Sequence, residues 1–268
     1  MNITRILTGL IGFPIVALVL IFGNEILIDI AFAIIAIMSL HEYYKSFKEK
    51  ANPVTWIGYI ACSLIGFTHL IPSEHLIHTI GILIPIFVLA LFLKVILTNM
   101  KTNIKDIAIT ILGICYIPLF LMFIPILRGT ENGPLLVWYI ILSAWGTDVF
   151  AYTVGKLIGK HKFSKISPNK TIEGCIGGII GAVIINLAYT WIINSFFQMN
   201  INYIAILVIS IILSILSQIG DFAASAIKRY VGIKDFSNLI PGHGGMLDRI
   251  DSIIFISPFA FYLIRLFI

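Results

Sequence analysis

The sequence predicts an all-α fold: a single integral membrane domain over residues 1–268, polytopic, with about nine transmembrane helices and a cytoplasmic N-terminus. Three observations carry that reading. Hydrophobic residues make up 59% of the chain and charged residues only 12%, against about 25% charged in an average soluble domain. The apolar excess is more than a core of this size needs, so it faces lipid. Apolar runs near the roughly 20 residues that cross a bilayer recur along the chain. Finally, the Lys and Arg residues collect in alternate connections between those runs.

The first run, near 6–22, follows Arg5 and has some character of a secretion signal. It is long for one and no small-residue cleavage pattern follows it, so it reads as a retained helix. Further runs lie near 26–40, 54–71, 77–97, 106–126, 135–153, 174–195, 201–220 and 252–267. Pro14, Pro85, Pro118 and Pro125 fall inside or near the ends of runs, where membrane helices tolerate kinks. The run at 174 opens with the spaced pairs Gly174/Gly178 and Gly177/Gly181. Such pairs admit a neighbouring helix closely, with closeness to a ligand as the alternative.

Strict alternation from an inside N-terminus leaves only Arg128 and Arg265, of 18 Lys and Arg residues, on the outer side. Adding or removing one helix destroys this partition. The outer connections, near 23–25, 71–78, 128–134 and 196–200, are too short for an external catalytic domain. The long polar segments, 155–173 and 221–251, fall on the cytoplasmic side. The net charge of +5 is then a topology signal, and no nucleic-acid partner is expected. Cys62, Cys115 and Cys175 are isolated and form no CxxC, so they read as small core residues rather than metal or redox ligands.

Carboxylates near hydrocarbon are costly and point to function. Asp148 and Asp221 read as lying in the last turns of apolar helices, and Asp248 and Asp251 just before the final helix, all at the cytoplasmic level. Asp29, near the outer end of the second run, shows no partner in sequence. Four converging carboxylates point to a cation site, and oxygen ligands without cysteine favour Mg²⁺ over Zn²⁺. If the helix continues past residue 220, Asp221, Ser225 and Lys228 share one stripe, with Arg229 beside it. That is an arrangement for a metal–phosphate complex; a basic cluster that fixes topology or touches anionic lipid is the alternative for the two cations. Next comes Pro-Gly-His-Gly-Gly-Met-Leu-Asp-Arg-Ile-Asp, residues 241–251. Its glycines let the backbone approach an anion. Asp251 can instead cap or complement the helix that follows, and Arg249 can simply neutralise its two aspartates. The lysines between 156 and 170 serve topology, phosphate capture, or both.

The run Ser225-Ala-Ile-Lys228-Arg229, then Lys234-Asp235, then Pro241-x-His243-Gly244-Gly245-Met246-x-Asp248-Arg249-Ile250-Asp251 resembles the signature of the phosphatidate cytidylyltransferase (CDP-diacylglycerol synthase) family. A second block is similar: Asp148-Val-Phe-Ala151-Tyr152-x-x-Gly155-Lys156, Gly159-Lys160-His161-Lys162, and Ser167-Pro168-Asn169-Lys170-Thr171-Ile172-Glu173-Gly174. Members of that family more often carry Lys and Trp where this chain has Asn169 and Ile172. The resemblance is clearest over residues 135–260, the expected catalytic part.

The resemblance implies transfer of a cytidylyl group from CTP to phosphatidate with Mg²⁺, giving CDP-diacylglycerol and pyrophosphate, with room for a second cation. By matched position it makes Asp221 and Asp248 the first metal ligands and Asp148 and Asp251 the next. Lys228, Arg229, His243 and Arg249 would hold phosphates. Ser167, Lys170, Thr171 and Glu173 would contact nucleotide, and Tyr152, Lys156, Ser225, Lys234, Gly244 and Gly245 complete the expected substrate contacts. A homodimer in the inner or plasma membrane, with its active site facing the cytoplasm, is expected on the same ground. Two rival readings are a CTP-dependent polyprenol or phytol kinase, disfavoured by the full signature, and a secondary transporter. The transporter is disfavoured because the carboxylates gather at one face rather than the midplane and no inverted repeat is visible.

Overall fold

A computed structural model describes residues 14, 16–72, 75–164, 167–239 and 244–268. Among them the regular structure is helical, apart from isolated bridge residues, Lys162 paired with Thr171 and Gly244. In order the helices are α1 (Glu25–Ser46), α2 (Thr55–Ser63, continued as a 3-10 helix Leu64–Leu70), α3 (Leu76–Leu97), α4 (Ile104–Tyr116), α5 (Pro118–Leu121), α6 (Phe123–Arg128), α7 (Gly133–Leu136), α8 (Trp138–Ile158), α9 (Ile172–Phe197), α10 (Tyr203–Val231) and α11 (Leu247–Phe267).

Among the described residues, seven stretches are long and apolar enough to cross a membrane: Glu25–Ser46, His78–Leu97, Ile104–Arg128, Gly133–Ile158, Ile172–Phe197, Tyr203–Val231 and Leu247–Phe267. The chain is therefore a polytopic helical membrane protein. The run near 54–71 forms the shorter apolar helix Thr55–Leu70. The run near 6–22 lies mostly outside the described residues. Large apolar side chains such as Ile82, Leu89 and Ile96 on α3 remain exposed, as lipid-facing positions do.

The kinks expected at Pro118 and Pro125 divide the run near 106–126 into α4, α5 and α6, because each proline removes a donor to the carbonyl four residues back. Two expectations change. Asp148 and Asp221 do not lie in last turns: α8 and α10 each continue ten residues beyond them, about 15 Å of helix. Polarity ends the apolar run there without ending the helix, since neither stretch contains a helix-breaking proline. Asp248 and Asp251 likewise do not precede the final helix but lie in its opening turns, since α11 starts at Leu247.

The chain divides into two compact units, Met1–Gly129 with Val231–Arg249, and Thr130–Tyr230 with Ile250–Ile268. In the first, Val54, Ile57, Ala61, Leu91, Val95, Ile107 and Ile114 form an apolar core. Polar pins fix its helices. Asp29, buried on α1, accepts the Thr68 hydroxyl at 2.6 Å and the His69 backbone N–H at 2.7 Å, which supplies the partner invisible in sequence. Asp106 closes a capping box with Asn103 and accepts the Asn52 N–H at 2.7 Å, satisfying donors that the start of α4 leaves open.

In the second unit α8 and α9 pack through the glycine pairs. A Cβ on Gly177 would stand 2.5 Å from Val154, one on Gly178 2.9 Å from the Thr147 carbonyl, and one on Gly181 would overlap the Phe150 ring. These glycines serve helix packing. Buried hydroxyls and an amide then link three helices. Asn186 of α9 donates to Ser143 of α8 at 2.8 Å and to Ser210 of α10 at 2.9 Å, and Thr147 donates to Ser214 at 2.7 Å. Such bonds hold membrane helices together where water is absent.

Candidate active site

The second unit builds its polar cluster from α8, α9, α10, α11 and the 159–171 connection. The described residues of that connection are tied together by hydrogen bonds. Phe163 N–H donates to the Lys170 carbonyl at 3.0 Å and Ile172 N–H to the His161 carbonyl at 2.9 Å. Lys170 N–H closes a turn onto the Ser167 carbonyl at 3.1 Å. The Thr171 hydroxyl caps α9 by accepting the Gly174 N–H at 3.1 Å. Glu173 accepts the His161 ring nitrogen Nδ1 at 2.6 Å and, at 3.3 Å, its backbone N–H. Gly159 is required by proximity, since a Cβ there would stand 2.6 Å from the Thr171 hydroxyl.

So braced, the connection delivers Lys170 onto α10. Its ammonium pairs with Asp221 Oδ2 and lies 4.3 Å from the centroid of the Phe222 ring. Phe163 stacks on the same ring, centroids 4.9 Å apart and planes 23° apart. Ser225, one turn beyond Asp221, donates to its Oδ1 at 3.4 Å, as the i, i+4 spacing predicts. Asp251 on α11 is buried, accepts the Ser252 N–H at 2.7 Å and lies in the field of Asp221, Lys228 and Asp148. Asp221 and Asp251 thus stand on α10 and α11 and Asp148 on an exposed part of α8, and the contact made to this group by a cation is that of Lys170 with Asp221.

Tyr152 and Lys156 lie one turn apart on an exposed face of α8, the ammonium 6.0 Å from the ring centroid. Ser167 is half-buried at the turn, and Arg229 is exposed near the end of α10. Thr171 and Glu173, expected to contact nucleotide, are engaged in holding the connection.

The first unit carries the glycine segment. Gly244 has φ +85°, a left-handed conformation that favours glycine. Asp248 is buried, and its Oδ2 accepts the backbone N–H of Phe236 at 2.8 Å and of Gly245 at 3.1 Å. Lys234 and Arg249 are exposed. His243 lies outside the described residues. Sequence reasoning missed Glu42, because the apolar run was ended at 40 whereas α1 continues to Ser46. The signal was present: no Gly or Pro interrupts residues 41–46.

The oxygen donors that the second unit offers a divalent cation are those of Asp221 and Asp251. Among the described residues no three His, Cys, Asp or Glu side chains form a ready-made metal cluster. Mg²⁺ does not require one, since it commonly takes one or two carboxylates and fills its shell with substrate phosphates and water. Asp221 already holds a cationic group, the Lys170 ammonium, and Asp251 is a buried acid among like charges.

A polytopic helical membrane protein with an acid–lysine pair on α10 is the class that this fold and site define. The cytidylyltransferase family model matches residues 3–267. A phosphatidate cytidylyltransferase of Bacillus subtilis is 35% identical over 270 residues, covering 98% of this chain and 97% of the relative. One of Staphylococcus aureus is 32% identical over 259 residues, 95% of each chain, and one of Staphylococcus haemolyticus 39% identical over 164 residues, 61% of each. The chain belongs to the cytidylyltransferase family.

Proposed function

We propose that this protein transfers the cytidylyl group of CTP to phosphatidate. A phosphate oxygen of phosphatidate attacks the α-phosphorus of CTP. The new P–O bond completes CDP-diacylglycerol, and the broken one releases pyrophosphate with its electron pair. The observation that carries this reading is the relationship of the chain, over nearly its whole length, to phosphatidate cytidylyltransferases, and the Lys170–Asp221 pair supports it.

Such transfer depends on positioning and charge neutralisation rather than on a protein nucleophile. Lys170, Lys228 and Arg229 hold the phosphates of CTP, and the Phe163–Phe222 stack fixes the side from which Lys170 approaches. Asp221 and Asp251, with Asp148, hold Mg²⁺; bound there, the ion would neutralise charge building on the phosphoryl oxygens. Asp248 has a ligand role by its matched position, as His243 and Arg249 have phosphate roles. The cytoplasmic placement of this chemistry rests on the partition of Lys and Arg, and a homodimer on family resemblance.

The test is product identity. Purified protein is given phosphatidate, Mg²⁺ and CTP labelled at either the α- or the γ-phosphorus. The α-label enters lipid and the γ-label leaves in pyrophosphate. γ-label in the lipid together with free CDP would mark a lipid kinase and overturn the proposal.

A further inference from the structure

We infer that Glu42 is a positioning residue for the glycine segment of this enzyme. It belongs to α1, some two hundred residues from that segment in sequence, and sequence reasoning assigned it no role. Its side chain is 3% exposed, and a carboxylate in such a place needs donors around it. It has three. The Ser237 hydroxyl donates to Oε1 at 2.5 Å, the Met246 N–H donates to Oε1 at 3.0 Å, and the Leu247 N–H donates to Oε2 at 2.9 Å.

These donors flank the glycine segment on both sides. Ser237 precedes it. Met246 and Leu247 follow it and form the start of α11, whose first turn carries Asp248 and Arg249. The carboxylate also explains a glycine: a Cβ on Gly245 would stand 2.5 Å from Glu42 Oε2 and 2.9 Å from its carboxyl carbon. Gly245 is bare where Glu42 passes. Asp248 closes the same segment from the other end through the N–H groups of Phe236 and Gly245. Two carboxylates, one remote and one local, thus hold the backbone at Phe236 and at Gly245, Met246 and Leu247.

The chemistry of the contact requires an acid. Three donors meet the two oxygens of one carboxyl group. An amide at this position keeps one oxygen and turns an NH₂ toward a donor, so Glu42→Gln loses at least one bond while preserving shape. Gly245→Ala attacks the same contact from the opposite side, by steric overlap.

This inference rests on the cytidylyl-transfer reading, and the experiment separates the two. Glu42→Gln, Gly245→Ala and the double variant are purified as the full chain. The expected result is a loss in kcat of about tenfold or more in each single variant, with a double variant no worse than the worse single, as for groups acting through one contact. Backbone amide exchange at Met246 and Leu247 rises in Glu42→Gln, while buried amides of α8 and α9 exchange as in wild type. Normal kcat in Glu42→Gln, losses that multiply in the double variant, or unchanged exchange at Met246 and Leu247 would each overturn the inference. If the wild type makes no CDP-lipid, the functional reading falls by itself, and exchange alone then decides whether Glu42 fixes the segment.

Discussion

At the scale of single residues, the Lys170–Asp221 pair joins the 159–171 connection to α10 and is central to the proposed function. Both side chains remain partly exposed, 24% and 29%, and such pairs contribute only about 0–1 kcal/mol to stability. Function and stability should therefore separate. Lys170→Met is expected to leave the unfolding midpoint in detergent almost unchanged while lowering cytidylyl transfer by about a hundredfold, the scale of losing one charge-stabilising group. A variant within about threefold of wild type in rate would remove Lys170 from the chemistry. This pair was not legible in sequence, because it joins a connection to a helix fifty residues away. Asp221 with Ser225 was legible, since helical spacing alone places them together. The place of Glu42 on α1 was legible, since no Gly or Pro interrupts residues 41–46, but its partners were not, because they lie far along the chain.

At the scale of elements, the α8–α9 seam sets where Asp148 and the 159–171 connection can stand. The glycine pairs made this seam legible, and the distances show why small residues are needed there. Gly181→Val would drive a side chain into Phe150, and overpacking of this kind costs about 1–3 kcal/mol. Ile184 on the same helix is 55% exposed, so Ile184→Ala is expected to shift stability by less than about 0.5 kcal/mol, as for surface positions. Thermal unfolding of both variants in one detergent checks the contrast, and equal effects would contradict the packing role. Helix ends were less legible. Hydropathy locates where a segment leaves hydrocarbon, whereas α10 continues through polar residues and ends in Lys228 and Arg229, which complement its C-terminal dipole.

At the scale of the whole molecule, seven stretches suited to crossing a membrane among the described residues match the composition, and the orientation expected from the partition of Lys and Arg over nine runs is a prediction. On a background lacking the three native cysteines, a membrane-impermeant thiol reagent applied to intact cells should label Glu131→Cys at once. It should label Lys162→Cys only after permeabilisation; the reverse pattern would invert the topology and place the phosphate chemistry on the wrong side for CTP. The helical architecture was legible because lipid demands long apolar runs. The division into two units was not, because it depends on residues 231–249 returning to the company of the first helices.

The central claim is that carboxylates of this chain direct cytidylyl transfer. It is tested most directly by one assay of labelled CTP, phosphatidate and Mg²⁺ with wild type, Asp221→Asn and Asp248→Asn. Wild type should form CDP-diacylglycerol with one pyrophosphate per product, and each variant should lose about a hundredfold or more in rate while remaining folded in detergent. Near-normal product formation by either variant would contradict the role assigned to that aspartate, and near-normal formation by both would contradict the account.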